Sequence, residues 1–220
     1  MKKKVWFLIS FSVFHVAAVL LFAAGSFLFV RGLYNLYGIR ESVSLEDLSI
    51  DTLKKGIYVE DDLYSLKGIY SDDGLGATFQ GSSVTQSTWG QKWYRTYTVK
   101  LGKETEEYIT VVVLDAIEQS AEFERLTEQE TYVPVKLFGK LVKNTYDINE
   151  TWYKEAFGIQ DEKKLKEMLS YDFCIKAVDK KKESALWYKG LSLMATGAFL
   201  WFIGSRKKGK AFVFDVVKGD

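Results

Sequence analysis

The chain has 220 residues, enough for one ordinary domain and a little more, and its net charge of +1 points to no particular class of partner. A single cysteine, Cys174, excludes an internal disulfide and any multi-cysteine metal site. A single histidine, His15, leaves residues 31–183 without the means for Ser-His-Asp or Cys-His catalysis or for a His-based zinc site.

The N-terminus (residues 1–4) carries Lys2, Lys3 and Lys4 and opens into "VWFLISFSVFHVAAVLLFAAGSFLFV", residues 5–30, which has no formal charge. As a helix this run would measure about 39 Å, against a hydrocarbon core of ~30 Å. Ala23-Ala24-Gly25 would serve as a signal-peptide cleavage site, but "SFLFV" carries the apolar run beyond it. The run exceeds the ~7–15 residues of a signal h-region, so a retained anchor is expected.

Residues 31–183 follow, with 21 Lys/Arg against 27 Asp/Glu, an acidic stretch between two basic ends. "RGLYNLYGIRE" continues the first span. "SLEDLSIDTLKKG" has a helix signature, with Ser44 as N-cap, Leu45, Leu48 and Leu53 on one side and Gly56 beyond the last turn. "GIYVEDDLYSLKGIYSDDG" reads as two short strands ending in a turn at Asp72-Asp73-Gly74, and residues 74–90, small and polar, as a loop. "WYRTYTVKL" and "YITVVVL" form a β-hairpin, with Trp93, Tyr97, Val99 and Leu101 alternating on one strand and Ile109, Val111 and Val113 on the other.

"DAIEQSAEFERLTEQ" is helical. "YVPVKLFGKLVK" is a strand with Val133, Val135, Leu137 and Leu141 on one face and Pro134 near its start, where a sheet edge tolerates it. "DINETWYKEAFG" and "DEKKLKEML" are short helices, the first with Ile148, Trp152 and Ala156 in register, the second with Leu165, Met168 and Leu169. "YDFCIKAVD" is a last strand, on which Cys174 shares a face with Asp172 and Lys176; that face leaves partial exposure open, and an inert structural thiol is the expectation. This order implies an α+β domain with a mainly antiparallel sheet that could close as a small OB-like barrel, flanked by two transmembrane helices.

The second apolar run, residues 184–204, contains Lys189 near one end, where a lysine can snorkel. Trp6 and Trp201 lie near the basic ends, while Tyr34, Tyr37, Trp187 and Tyr188 lie toward the acidic domain, as interfacial belts require. Arg206, Lys207, Lys208 and Lys210 begin the basic tail, residues 205–220, and mark the same cytoplasmic side as Lys2, Lys3 and Lys4. The tail also contains "AFVFDVV", which has strand character and could dock on a partner.

"GIYVEDDLYSLKGIY" and "YVPVKLFGKL", with this layout, resemble two-pass bacterial membrane proteins with an extracytoplasmic domain between the spans. The resemblance implies an architecture and no activity.

Asp61-Asp62 and Asp72-Asp73 are carboxylate pairs suited to calcium or acid/base work, but without EF-hand spacing they read as solvated turns. Asn149-Glu150-Thr151 is a formal sequon. Small residues recur at heptad spacing: Ala18, Gly25 and Gly32 in the first span, Gly190, Gly197 and Gly204 in the second. Such faces allow close helix approach. Counting depth from the basic ends sets His15 level with Thr196, so an uncharged His15 hydrogen-bonded to Thr196 or Ser192 is one expectation, the alternative being a histidine that faces lipid or a second copy.

The whole indicates a two-pass membrane protein with both termini cytoplasmic. It presents an acidic domain outside, as a non-enzymatic binding, scaffold, accessory or sensor protein. The alternative is a membrane-tethered hydrolase working with Asp/Glu carboxylates. The bilayer is the expected partner, with another membrane or envelope protein or a second copy left open. No cofactor, metal or nucleic acid is expected.

Overall fold

The computed structural model describes residues 7–9, 13–65, 76–87, 90–102, 106–117, 119–127, 134–146, 148, 150–206 and 212–214. In chain order its elements begin with β1 (Phe7–Ile9) and α1 (Val13–Arg40), then two single-turn 3₁₀ helices, Leu45–Asp47 and Ile50–Thr52. There follow β2 (Tyr58–Ser65), β3 (Gly76–Ser87), β4 (Gly90–Leu101), β5 (Glu107–Leu114), α2 (Ser120–Thr127) and β6 (Val135–Lys143). The last elements are α3 (Glu150–Phe157), α4 (Glu162–Met168), β7 (Phe173–Ala177), α5 (Lys180–Ser184), α6 (Leu186–Arg206) and β8 (Phe212–Phe214). The protein is α+β and divides into two compact units: Met1–Leu36 with Ser184–Asp220, and Tyr37–Glu183.

The first unit is built on α1 and α6. The first helix begins at Val13 rather than residue 5 and runs on to Arg40. Phe7–Ile9 is instead a strand paired antiparallel with Phe212–Phe214. The tail strand expected to seek a partner thus finds one in the chain's own N-terminal segment.

The second unit is a closed barrel of six strands in the order β2-β3-β4-β5-β7-β6. Four contacts are antiparallel (β2–β6, β3–β4, β4–β5, β6–β7) and two are parallel (β2–β3, β5–β7), so the sheet is mixed. The β4–β5 hairpin forms as its alternation requires, pairing Tyr97 with Val111 and Val99 with Ile109. Tyr97, Val99, Leu101, Ile109, Val111 and Val113 all enter the core, joined there by Leu137, Leu141 and Ile175. Trp93 does not; it is 55 % exposed.

Residues 76–87, expected as a loop, are the long strand β3. Small polar residues carry little local strand preference, and here the pairing with β4 over ten residue pairs supplies it. The expected helix of residues 44–56 is instead the two 3₁₀ turns. Ser44 does cap the first, accepting from Glu46 N–H, but Val43 and Leu45 give their backbone bonds to the barrel at Tyr58, Glu60 and Gly102. Leu45, Leu48 and Leu53 thereby reach the core without a regular helix.

Barrel closure also corrects the place given to Pro134. β6 pairs with β2 and β7, so it is not an edge; Pro134 immediately precedes the first paired residue, Val135, where a missing N–H costs nothing to the ladder. In α3 the buried residue is Tyr153, with Trp152 half-buried and Ala156 exposed, while Leu165 and Leu169 are buried as their spacing implies. The expected second strand after Ser65, the Asp72-Asp73-Gly74 turn, Val133 and Asn149 lie outside the described residues.

Candidate functional site

The α1–α6 pair buries Ala18, Gly25, Gly32 and Asn35 from α1 and Gly190, Gly197 and Gly204 from α6. A Cβ added to Gly25 would sit 2.8 Å from the Gly190 carbonyl oxygen and 2.8 Å from Met194 N; one on Gly197 would sit 2.9 Å from the Ala18 carbonyl oxygen. Gly32 lies against the backbone of Trp187, and Gly190 against that of Phe29. The helices therefore meet backbone to backbone, which only residues lacking a side chain permit. Ser26 Oγ donates across the pair to Met194 Sδ at 3.4 Å. The faces turned outward are large and apolar: Leu20, Phe27 and Val30 are each 66 % exposed, and Phe199 63 %.

His15 does not take the place that depth counting assigns it. Its Nε2 lies 3.4 Å from Ser205 Oγ, and its ring meets Trp201 edge-on at 4.6 Å. Ser192 and Thr196 hydroxyls donate instead to carbonyls of their own helix, Tyr188 O at 3.0 Å and Ser192 O at 2.9 Å. The physical reason is register: glycine-to-backbone contacts set Gly197 opposite Ala18, and His15 then falls toward the last turn of α6. Ser205 and Met194 carried no sequence signal beyond their place in an apolar run.

Of the interfacial aromatics, Tyr34, Tyr37 and Tyr188 are exposed, Trp187 is half-buried with its ring edge-on to Tyr188 at 5.9 Å, and Trp201 is exposed beside His15. The Arg206 guanidinium lies over the Phe202 ring at 4.4 Å. Lys2, Lys3, Lys4, Trp6, Lys207, Lys208 and Lys210 lie outside the described residues.

Within the barrel unit two tyrosines organise polar contacts that the sequence did not announce. Tyr58 is almost fully buried. Its hydroxyl donates to Glu183 Oε2 at 2.9 Å and accepts from Lys140 Nζ at 3.0 Å, while its ring stacks on Phe138 at 5.5 Å. The ring also lies against Gly38, where an added Cβ would sit 2.9 Å away. Beside it Lys180 pairs with Glu60 at 2.6 Å. The last turn of α1 and the turn of α5 thus converge on one aromatic ring.

Tyr153 makes the second cluster, on the outer face of β4 and β5. Its hydroxyl accepts from Thr98 Oγ1 at 3.0 Å, shares a 2.9 Å bond with Thr110 Oγ1 and accepts from Gln80 Nε2, which stands at the β3 bulge. Burial pushes the Tyr153 hydroxyl pKa up, against the lowering effect of these three partners. With Ile159, Leu165 and Leu169 it forms a second apolar cluster that seals this face under α3 and α4.

Cys174 is fully buried, which closes the partial exposure its neighbours left open: Tyr94 and Val112, with Tyr146 beside them, pack over that face. Burial holds its thiol up at about 11, so it is neither a nucleophile nor a ready metal ligand. Asp61 accepts from Ser44 Oγ at 2.7 Å and Leu45 N–H at 2.8 Å, which makes it a turn-holding carboxylate. Among the described residues no group of three or more His, Cys, Asp or Glu is arranged to hold a metal ion. Comparison with protein-family models, with curated proteins and with solved structures finds no match.

Among the described residues α1 is the helix long and apolar enough to cross a membrane; α6 falls short of that measure.

Proposed function

We propose that this is a two-pass membrane protein, in the layout of the bacterial proteins its sequence resembles, holding an acidic barrel outside the cytoplasm as a non-enzymatic binding or accessory module. The observation that carries the reading is the inverted packing of α1 and α6, with small residues between the helices and Val, Leu and Phe turned outward. Water would drive the large side chains inward; in lipid, where side chains gain nothing by leaving the solvent, close backbone packing decides. α6, the less apolar of the two, would be carried across by this packing, with Lys189 snorkelling beside Trp187 and Tyr188. The antiparallel β1–β8 pairing is what two ends on one side of the membrane require, and the basic residues there select the cytoplasm.

Among the described residues β2 and β3 run parallel and meet at Tyr64–Gly76 and Ser65–Ala77. Taken as two halves of one interrupted strand, they give the barrel the five-strand plan of an OB-like fold. OB folds take oligonucleotides on their second and third strands, here β4 and β5. That outer face is occupied by Tyr153 and the α3–α4 pair.

Topology is the test. With Cys174 replaced by alanine, Ser83→Cys, on the exposed side of β3, should react with a membrane-impermeant maleimide on intact cells. Gly209→Cys should react only after permeabilisation. Reversed labelling overturns the orientation, and release of the protein by alkaline carbonate overturns the anchor.

A further inference from the structure

The outward side of the α1–α6 pair is not uniform. A groove of about 500 Å³ opens between the helices, lined by Val19, Phe22 and Ala23 of α1 and Gly197, Ala198 and Trp201 of α6. That volume lies in the ~300–1,000 Å³ range of small-ligand sites. The two glycine contacts that draw the helices together leave it open, because Ala23 and Ala198 are too small to fill the space beside Gly197.

Polar groups lie beyond one end of this apolar groove. Trp201 belongs to the groove wall and also meets the His15 ring at 4.6 Å. His15 Nε2 lies 3.4 Å from Ser205 Oγ, whose own hydrogen goes to the Trp201 carbonyl at 2.9 Å, and Arg206 comes next, exposed; in sequence it is the first of the cationic run Arg206, Lys207, Lys208 and Lys210. No acidic residue intervenes before Asp215. An apolar slot thus leads, one helical turn along each helix, to hydrogen-bonding groups and positive charge.

The geometry points to a binding site for one anionic glycerophospholipid. An acyl chain lies in the groove between Phe22 and Trp201, and the phosphate lies by His15, Ser205 and Arg206. A zwitterionic lipid could fill the same groove, but its own ammonium would meet the Arg206 guanidinium, so charge complementarity selects the anionic headgroup. A second copy laid alongside with its helices parallel would bring another Arg206 to the same end, which opposes that occupant. The inference rests on the two-pass reading, whose carbonate test does not depend on lipid binding.

The full chain, purified in an uncharged mild detergent, is titrated with dioleoyl phosphatidylglycerol and dioleoyl phosphatidylcholine in parallel and examined by native mass spectrometry. One phosphatidylglycerol per protein should be retained at about tenfold lower concentration than phosphatidylcholine. At roughly 1 kcal/mol per surface cation, Arg206→Gln should lower that preference about fivefold and leave phosphatidylcholine retention unchanged. Ala23→Phe, at an exposed position, should fill the groove and lower retention of both lipids about tenfold with an unaltered circular dichroism spectrum. Equal retention of the two lipids by the native chain overturns the proposal. So does a folded Ala23→Phe variant that still retains phosphatidylglycerol, or a native chain that runs as a dimer and takes up no lipid. If the protein resists carbonate extraction while lipid selectivity is absent, the anchor stands and this site falls.

Discussion

In the α1–α6 pair the residues withdrawn from the surroundings are alanine, glycine and one asparagine, Asn35, whereas the barrel core is built of Leu, Val, Ile, Phe and Tyr. The helix pair gains its contact from backbones that approach each other, and its large side chains remain outside. The barrel gains its contact from side chains that interdigitate, and its six strands close on themselves, the two parallel junctions β2–β3 and β5–β7 resting on two described residue pairs each. One chain therefore carries two opposite burial patterns. A substitution that ruins one unit should be mild in the other.

The largest expected effect is in the barrel. Tyr153→Ala removes a fully buried ring and leaves Thr98, Thr110 and Gln80 around a void, and should cost about 3–5 kcal/mol in denaturant unfolding followed by near-ultraviolet circular dichroism. Tyr153→Phe keeps the ring and should cost only about 1–2 kcal/mol, the loss of the shared hydroxyl. Equal losses for the two variants would deny that packing dominates there.

Next comes the helix pair. Gly25→Leu would drive a side chain into the Gly190 carbonyl and the Met194 backbone, and should destabilise the pair by about 3 kcal/mol, the upper end of ordinary overpacking. The readout is the midpoint of a dodecyl sulfate titration in mild detergent. Phe27→Ala, two residues on but facing outward, should leave that midpoint in place. A larger shift from Phe27→Ala than from Gly25→Leu would erase the contrast between the units.

The smallest effect is set by pH. The buried Cys174 thiol titrates at about 11 against 9.0 for a free thiol, so the folded barrel keeps a proton that the unfolded chain releases. Its contribution is whole below pH 9 and is lost as pH rises from about 9 to about 11. Stability profiles of the native chain and Cys174→Ala should run parallel below pH 9 and converge above it. Parallel curves to pH 11 would mean that the thiol is solvated in the fold.

The sequence alone determined what depends on runs and periods. The uncharged stretch before residue 30 dictates a long apolar helix, alternation from Trp93 to Val113 dictates the hairpin, and the heptad recurrence of Ala18, Gly25, Gly32, Gly190, Gly197 and Gly204 marks one face of each helix. Tertiary structure decided whatever depends on which segments meet. β3 is a strand because β4 lies beside it, since a small polar stretch has no strong preference of its own. His15 sits by Ser205 because glycine contacts, and not distance from the charged ends, set the helix register. Tyr58 and Tyr153 became hubs because distant residues, Glu183 and Lys140 for one and Gln80, Thr98 and Thr110 for the other, converge on a single hydroxyl. Such convergence leaves no period in the chain, because it joins residues tens of positions apart whose proximity exists only once the barrel has closed.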